Sequence, residues 1–152
     1  MASDAQTATA RARRIATVLG GPAVFGKQVS TSAELHGKLR AGLPHAALET
    51  LMTRFDLRRD EISQLLHLPL RTIARRKRER RLQADESDRL CRLARIAAHT
   101  EDVLGGTARA TRWLRTPNRA LGGVPPLSLL DTDLGTRQVE EVLGRIEHGI
   151  FS

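Results

Sequence analysis

The sequence predicts an all-α protein, on three observations. Apolar residues recur at three- and four-residue spacing through successive segments, the signature of one buried helix face. Gly and Pro fall at the ends of those segments, where helices stop or start. Aromatic residues are scarce, with one Trp, three Phe and no Tyr, so the core must be built from Leu, Ile, Val and Ala. That composition favours helices.

At 152 residues the chain fits one domain, or two small ones sharing a core. The formal net charge of +8 points to a polyanionic partner. Few exposed rings argue against the stacking platforms used for single strands or RNA.

Residues 1–28 are expected to form a flexible N-terminal segment, because 1–14 are rich in Ala, Thr, Ser and Arg without apolar periodicity. Arg11 to Phe25 faintly imitates a secretory leader, but Gly20-Gly21-Pro22 interrupts the apolar stretch. A helical domain is expected over 29–115. Ser32 is placed to cap a short helix through Leu35 and Leu39, which Gly42 would end. Leu43-Pro44 introduces a clearer helix, with Ala47, Leu48, Leu51, Met52 and Phe55 on one face and Pro44 suited to its first turn.

The most informative stretch is Leu57 to Arg81. Ile62, Leu65 and Leu66 mark the buried face of a short helix, which the Leu68-Pro69 break ends. Its N-cap position falls on Arg58, a poor capping residue. A basic helix follows. At about 100° per residue, Leu70, Ile73 and Ala74 are expected inward, while Arg71, Thr72, Arg75, Arg76 and Arg78 fan across the opposite side. An apolar stripe backed by guanidinium groups is what a recognition helix in the DNA major groove requires. Most basic helix faces are merely solvated, but positions 71–81 hold seven basic residues against the single acid Glu79. Solubilising charge is usually mixed in sign. The stretch therefore reads as a helix-turn-helix. Its phosphate contacts would be salt-sensitive, and one Arg on guanine would add about 1–3 kcal/mol of discrimination.

A long helix is expected from about Asp85 to Leu104, with acids in its first turn, a stripe of Leu90, Leu93, Ala94 and Ala97, and Gly105-Gly106 as its stop. Thr107 can cap the next helix, which carries Trp113 and Leu114 and ends before Pro117. From 116 onward the character changes: three basic residues face five acids, so 116–152 carries −2 and the rest of the chain +10. A turn-rich stretch holding Pro117-Asn118 and Gly122-Gly123 is followed by a last amphipathic helix on Val139, Val142, Leu143 and Ile146. Gly149 ends it. The apolar tail Ile150-Phe151-Ser152 either folds back onto the core or waits for a partner.

The single cysteine, Cys91, excludes an internal disulfide and reads as a partly buried, inert thiol. The five histidines show no paired ligand spacing, so no metal and no cofactor is expected. No apolar run approaches a membrane span, and a DNA-binding protein belongs in the cytoplasm. There is no acid/base pair, nucleophile constellation or phosphate-cradling loop, so an enzyme is not expected.

The chain resembles the Xre/MbcA/ParS antitoxins of type II toxin–antitoxin systems from about residue 29 to its end. The resemblance is carried by Leu70-Arg71-Thr72-Ile73-Ala74-Arg75-Arg76 and by Glu86-Ser87-Asp88-Arg89-Leu90. Its most specific part is Trp113-Leu114, Pro117-Asn118-Arg119-Ala120-Leu121-Gly122-Gly123, Pro126-Leu127 and the closing run from Arg145 to Ser152. The resemblance implies a helix-turn-helix DNA-binding domain followed by a small helical toxin-binding domain over 116–152. It implies a RES-domain toxin, which attacks NAD, as protein partner. The C-terminal region would cover that toxin's NAD pocket, and the helix-turn-helix would bind the operon's own promoter. A homodimer or a higher hetero-oligomer with the toxin is implied as well.

Direct toxin contacts are expected at Asn118, Arg119, Arg145, Gly149, Ile150, Phe151 and Ser152. Trp113, Leu121 and Leu130 are expected in the core, and Gly122-Gly123 in a turn. The competing expectation is a stand-alone transcriptional regulator whose C-terminal domain only oligomerises.

Overall fold

The computed structural model describes residues 2–149, which contain helices and no β-strand beyond two isolated bridges. Nine α-helices follow in order among them: α1 (Ala2–Val18), α2 (Pro22–Phe25), α3 (Ser32–Ala41), α4 (His45–Arg54), α5 (Arg59–Leu66), α6 (Leu70–Glu79), α7 (Ala84–Leu104), α8 (Thr107–Arg115) and α9 (Asp133–Glu147). Two short 3-10 turns, Arg119–Leu121 and Pro126–Leu129, lie between α8 and α9. The fold divides into two compact units, one ending at Arg95 and the other starting at Ile96. No helix among the described residues is long and apolar enough to cross a membrane.

The first unit contains an element that the flexible-segment expectation did not include. Residues 2–18 form α1, whose Ala12, Ile15 and Ala16, with Leu19 just beyond, are buried. Their spacing is i, i+3, i+4, i+7, and Ala is the best intrinsic helix former, so a face half made of alanine still packs. This face meets α3 and α4. Thr31, one residue before the expected Ser32, caps α3 by accepting the Glu34 N–H at 3.1 Å. Gly42 ends α3 with φ +90°, and a Cβ there would collide with the Leu82 carbonyl. The chain thus passes close to itself where α3 ends and α7 is about to begin.

Pro44 stands as the N-cap of α4, and Ala47, Leu48, Leu51 and Phe55 are buried as their spacing predicts. The core of this unit also holds Val18, Val29, Leu43, Ile62, Leu66 and Leu90. Fully burying a side chain of that size stabilises by about 1.5–3 kcal/mol. Helix α5 starts after Arg58, as expected. The weak cap is compensated by Glu61, whose carboxylate accepts the Arg58 N–H at 2.9 Å.

The second unit packs the 3-10 turn Pro126–Leu129 against both α8 and α9. Ile96, Ala110, Leu114, Leu127, Leu130, Val139, Val142 and Leu143 are among its buried residues. Of the three expected core residues, Leu130 is buried, whereas Trp113 and Leu121 are half-buried. Thr132 caps α9 by accepting the Gly135 N–H at 3.0 Å. Gly135 itself sits in the helix, where a Cβ would strike the Leu129 carbonyl. Thr107 is the first residue of α8 and not its cap, a position taken by Gly106. Its hydroxyl donates instead to Glu101 at 2.6 Å.

Candidate functional site

The helix-turn-helix is built from α5, a turn over His67-Leu68-Pro69, and α6. His67 ends α5 in the left-handed region at φ +52°, and Leu68 N–H returns to the Ser63 carbonyl at 3.0 Å. Ser63 Oγ donates to the Leu68 carbonyl at 2.5 Å, closing the turn from the other side. From α7, Arg89 Nη1 donates to the Leu66 carbonyl at 3.0 Å and satisfies the end of α5. The far end of α6 is tied down too: Arg80 supplies a carbonyl to His45 N–H at 3.1 Å, and Leu82 N–H reaches the Leu43 carbonyl at 2.8 Å.

The structure places Arg71, Arg75 and Arg78 on the exposed side of α6, with Thr72 half-buried. Arg75 lies 3.6 Å from Glu79 one turn on, an exposed pair of small energetic weight. Lys77 faces Glu49 of α4 at 3.8 Å. Two members of the expected pattern are corrected. Leu70, expected inward, is 50% exposed. Arg76, expected on the DNA face, is buried at 4% exposure.

Arg76 is held by Glu86 of α7 in a two-pronged contact, Nε to Oε1 at 2.7 Å and Nη2 to Oε2 at 2.9 Å. Its Nη1 also donates to Glu79 at 3.3 Å. Glu86 Oε1 further accepts the Gln83 N–H at 2.8 Å, so the same carboxylate caps α7 and anchors α6. The hydrogen bonds that Arg76 donates to Glu86 raise its pKa above its ordinary value, against the opposing effect of burial. Burial pushes the Glu86 carboxyl up, but the Arg76 and Gln83 hydrogen bonds outweigh it and leave it below the carboxylate norm. Arg76 is therefore a structural clamp that sets the rotation of α6. The remaining guanidinium groups can meet phosphates or guanine edges.

In the second unit, Asn118 is half-buried and committed locally. Its Oδ1 accepts the Ala120 N–H at 2.9 Å and its own N–H donates to the Val124 carbonyl at 3.1 Å. Gly122 and Gly123 have φ of +77° and +84° and form the turn between these contacts. Arg119, Arg145 and Gly149 are exposed. Ile150, Phe151 and Ser152 lie outside the described residues. Two exposed apolar side chains went unnoticed in the sequence, Val124 and Leu134, the latter 70% exposed at the start of α9. Leu134 falls off the stripe of Val139, Val142 and Leu143, which was the available signal.

Among the described residues no group of three or more His, Cys, Asp or Glu is arranged to hold a metal. Burial pushes the Cys91 thiol up to about 11, so it is protonated and unreactive near neutral pH.

Comparison with known proteins follows the same division. The Xre-like helix-turn-helix domain of antitoxins matches residues 34–95. The C-terminal toxin-binding domain of Xre/MbcA/ParS antitoxins matches residues 99–149. That start lies well before the expected boundary at 116 and close to the break between the two units. The chain is 34% identical over 125 residues to the antitoxin Xre of Photorhabdus laumondii, covering 81% of this chain and 84% of that one. It is 38% identical over 123 residues to the antitoxin Xre of Pseudomonas putida, covering 80% and 76%. A more distant relative, 26% identical over 126 residues and covering 76% and 79%, is the Prs ADP-ribosylating antitoxin of a Sphingobium species. By its two matched domains and by these relatives, the chain belongs to the Xre/MbcA/ParS family of antitoxins.

Proposed function

We propose that this antitoxin neutralises a RES-domain toxin that consumes NAD, and that it represses its own promoter through α6. The observation that carries the reading is the pairing, in one chain, of a toxin-binding domain over 99–149 with a helix-turn-helix whose Arg71, Arg75 and Arg78 face solvent. The Sphingobium relative's name ties an antitoxin of this kind to ADP-ribosylation, a reaction that uses NAD as donor. That supports NAD chemistry in the partner.

Inhibition is by occupancy, one protein surface covering another's pocket, and the antitoxin itself catalyses nothing. Arg119, Arg145, Gly149 and the tail Ile150-Phe151-Ser152 are the proposed contacts. The apolar side chains of Ile150 and Phe151 suit burial in a partner's cleft, and Arg119 and Arg145 can pair with carboxylates at its rim. Asn118 holds its loop in shape for that surface. On DNA the antitoxin acts as a dimer, two α6 helices meeting two half-sites one helical turn apart. The setting is the cytoplasm, where promoter and toxin are both found.

The test is co-expression with the product of the adjacent reading frame. A stable complex and relief of growth arrest are expected; a toxic neighbour that neither binds nor is relieved refutes the inhibitor half. Deleting residues 149–152 is expected to abolish neutralisation while leaving promoter binding intact. Full neutralisation by the truncated chain would remove the tail from the contact.

A further inference from the structure

Leu70 is the first residue of the recognition helix, and half of its side chain faces solvent. Among the described residues, the unit ending at Arg95 exposes one large hydrophobic side chain, and this is it. The core does not need it: Leu66 and Leu68 before it, and Ile73 one turn later, are buried. Nor can α6 roll to bury it. Ile73 and the Arg76–Glu86 clamp fix the helix rotation, and on the wheel Leu70 lies about 120° from Arg76. Leu70 instead stays on the exposed arc of α6, with the exposed Arg71 next along the chain and about 100° round the helix from it.

The N-terminal end of a recognition helix is the part that meets base edges. A leucine there has no atom that can donate to or accept from a base. The apolar feature of the major groove is the C5-methyl group of thymine. We infer that Leu70 is a specificity-determining residue, packing on a thymine methyl while Arg71 engages phosphate or guanine beside it. The inference rests on the DNA-binding reading and adds to it the identity of one base.

The test uses the full chain and a duplex enriched by it from a random double-stranded pool. Each thymine of that duplex is replaced in turn by deoxyuridine, which removes only the methyl group. For the native protein, one thymine per half-site is expected to weaken binding about fourfold when demethylated, the loss of one buried methyl contact. Leu70→Ala is expected to erase that sensitivity and leave the salt dependence unchanged, since no phosphate contact is lost. Leu70→Met, still apolar and long enough to reach, is expected to keep it and guards against a folding defect in the alanine variant.

If no thymine shows a methyl effect that depends on Leu70, the inference is overturned although DNA binding stands. If Leu70→Ala changes only self-association, Leu70 belongs to a contact between copies and the inference fails. If the native chain enriches no duplex and binds none at low salt, the DNA-binding reading falls, and this inference with it.

Discussion

Replacing Arg76 by alanine should strongly destabilise the helix-turn-helix and not merely weaken its grip on DNA. Both partners of the clamp are nearly sealed from water, with side chains 5% and 4% exposed, and they meet through two hydrogen bonds of 2.7 and 2.9 Å. Removing the guanidinium leaves the Glu86 carboxylate buried with only the Gln83 N–H in compensation. Breaking a buried pair in this way costs about 3–5 kcal/mol. Total stability is about 5–15 kcal/mol for an ordinary domain, so the loss is a large share of it. Urea denaturation followed by circular dichroism measures it. Removing both charges with Arg76→Met and Glu86→Leu should recover most of the loss, because the desolvation cost disappears with the pair. An Arg76→Ala variant within about 1 kcal/mol of the native chain that nonetheless lost promoter binding would refute the clamp and return Arg76 to the DNA face.

Other outcomes follow from the same structure. Arg71→Ala and Arg75→Ala should keep native stability, weaken promoter binding and each lower the salt slope by roughly one; an unchanged salt series in both would move the DNA surface elsewhere. His45 is buried with its Nε2 unpartnered, and its pKa is lowered by burial and by Lys77 and Arg59, against the opposing charge of Glu49. Above its ordinary value of 6.5 both folded and unfolded chains carry it neutral; below that the unfolded chain takes up the proton first. Stability should therefore begin to fall below about pH 6.5, and His45→Gln should flatten that first decline. Glu86 adds a second decline: its contribution is full above the ordinary carboxylate value of 4.5 and is lost as the pH drops through its depressed folded value. Gly135→Ala should destabilise the C-terminal unit by about 1–3 kcal/mol through collision with the Leu129 carbonyl, although helix propensity alone predicts a gain. Calorimetry that showed a raised melting temperature would remove the close contact.

The parts of the fold legible in the sequence are those with a large apolar stripe or strong punctuation. Pro44 before α4, Pro69 before α6 and Gly105-Gly106 after α7 all fall where the chain chemistry puts them. Helix α1 was illegible because alanine supplies much of its buried face, and a run of Ala, Thr and Arg looks compositionally like a solvated segment. The helix wheel could not decide between Leu70 and Arg76. Each lies about 60° from Ile73, on opposite sides, so periodicity alone ranks them equally and hydrophobicity chooses wrongly. What decides is Glu86, ten residues further along and on another helix, a relation with no local signal. Gly135 was likewise unreadable, because its need for a missing Cβ arises from a backbone approach by the preceding turn.

Hydrogen exchange on the antitoxin, alone and with each partner in turn, tests the division of labour most directly. Promoter duplex should slow exchange along α6 and its preceding turn and leave α9 unchanged. The toxin should slow exchange across α9 and the segment joining it to α8, and leave Arg71 to Arg78 as they are in the free chain. Protection of α6 by the toxin, or a promoter complex in which α6 exchanges as freely as before, would contradict the account.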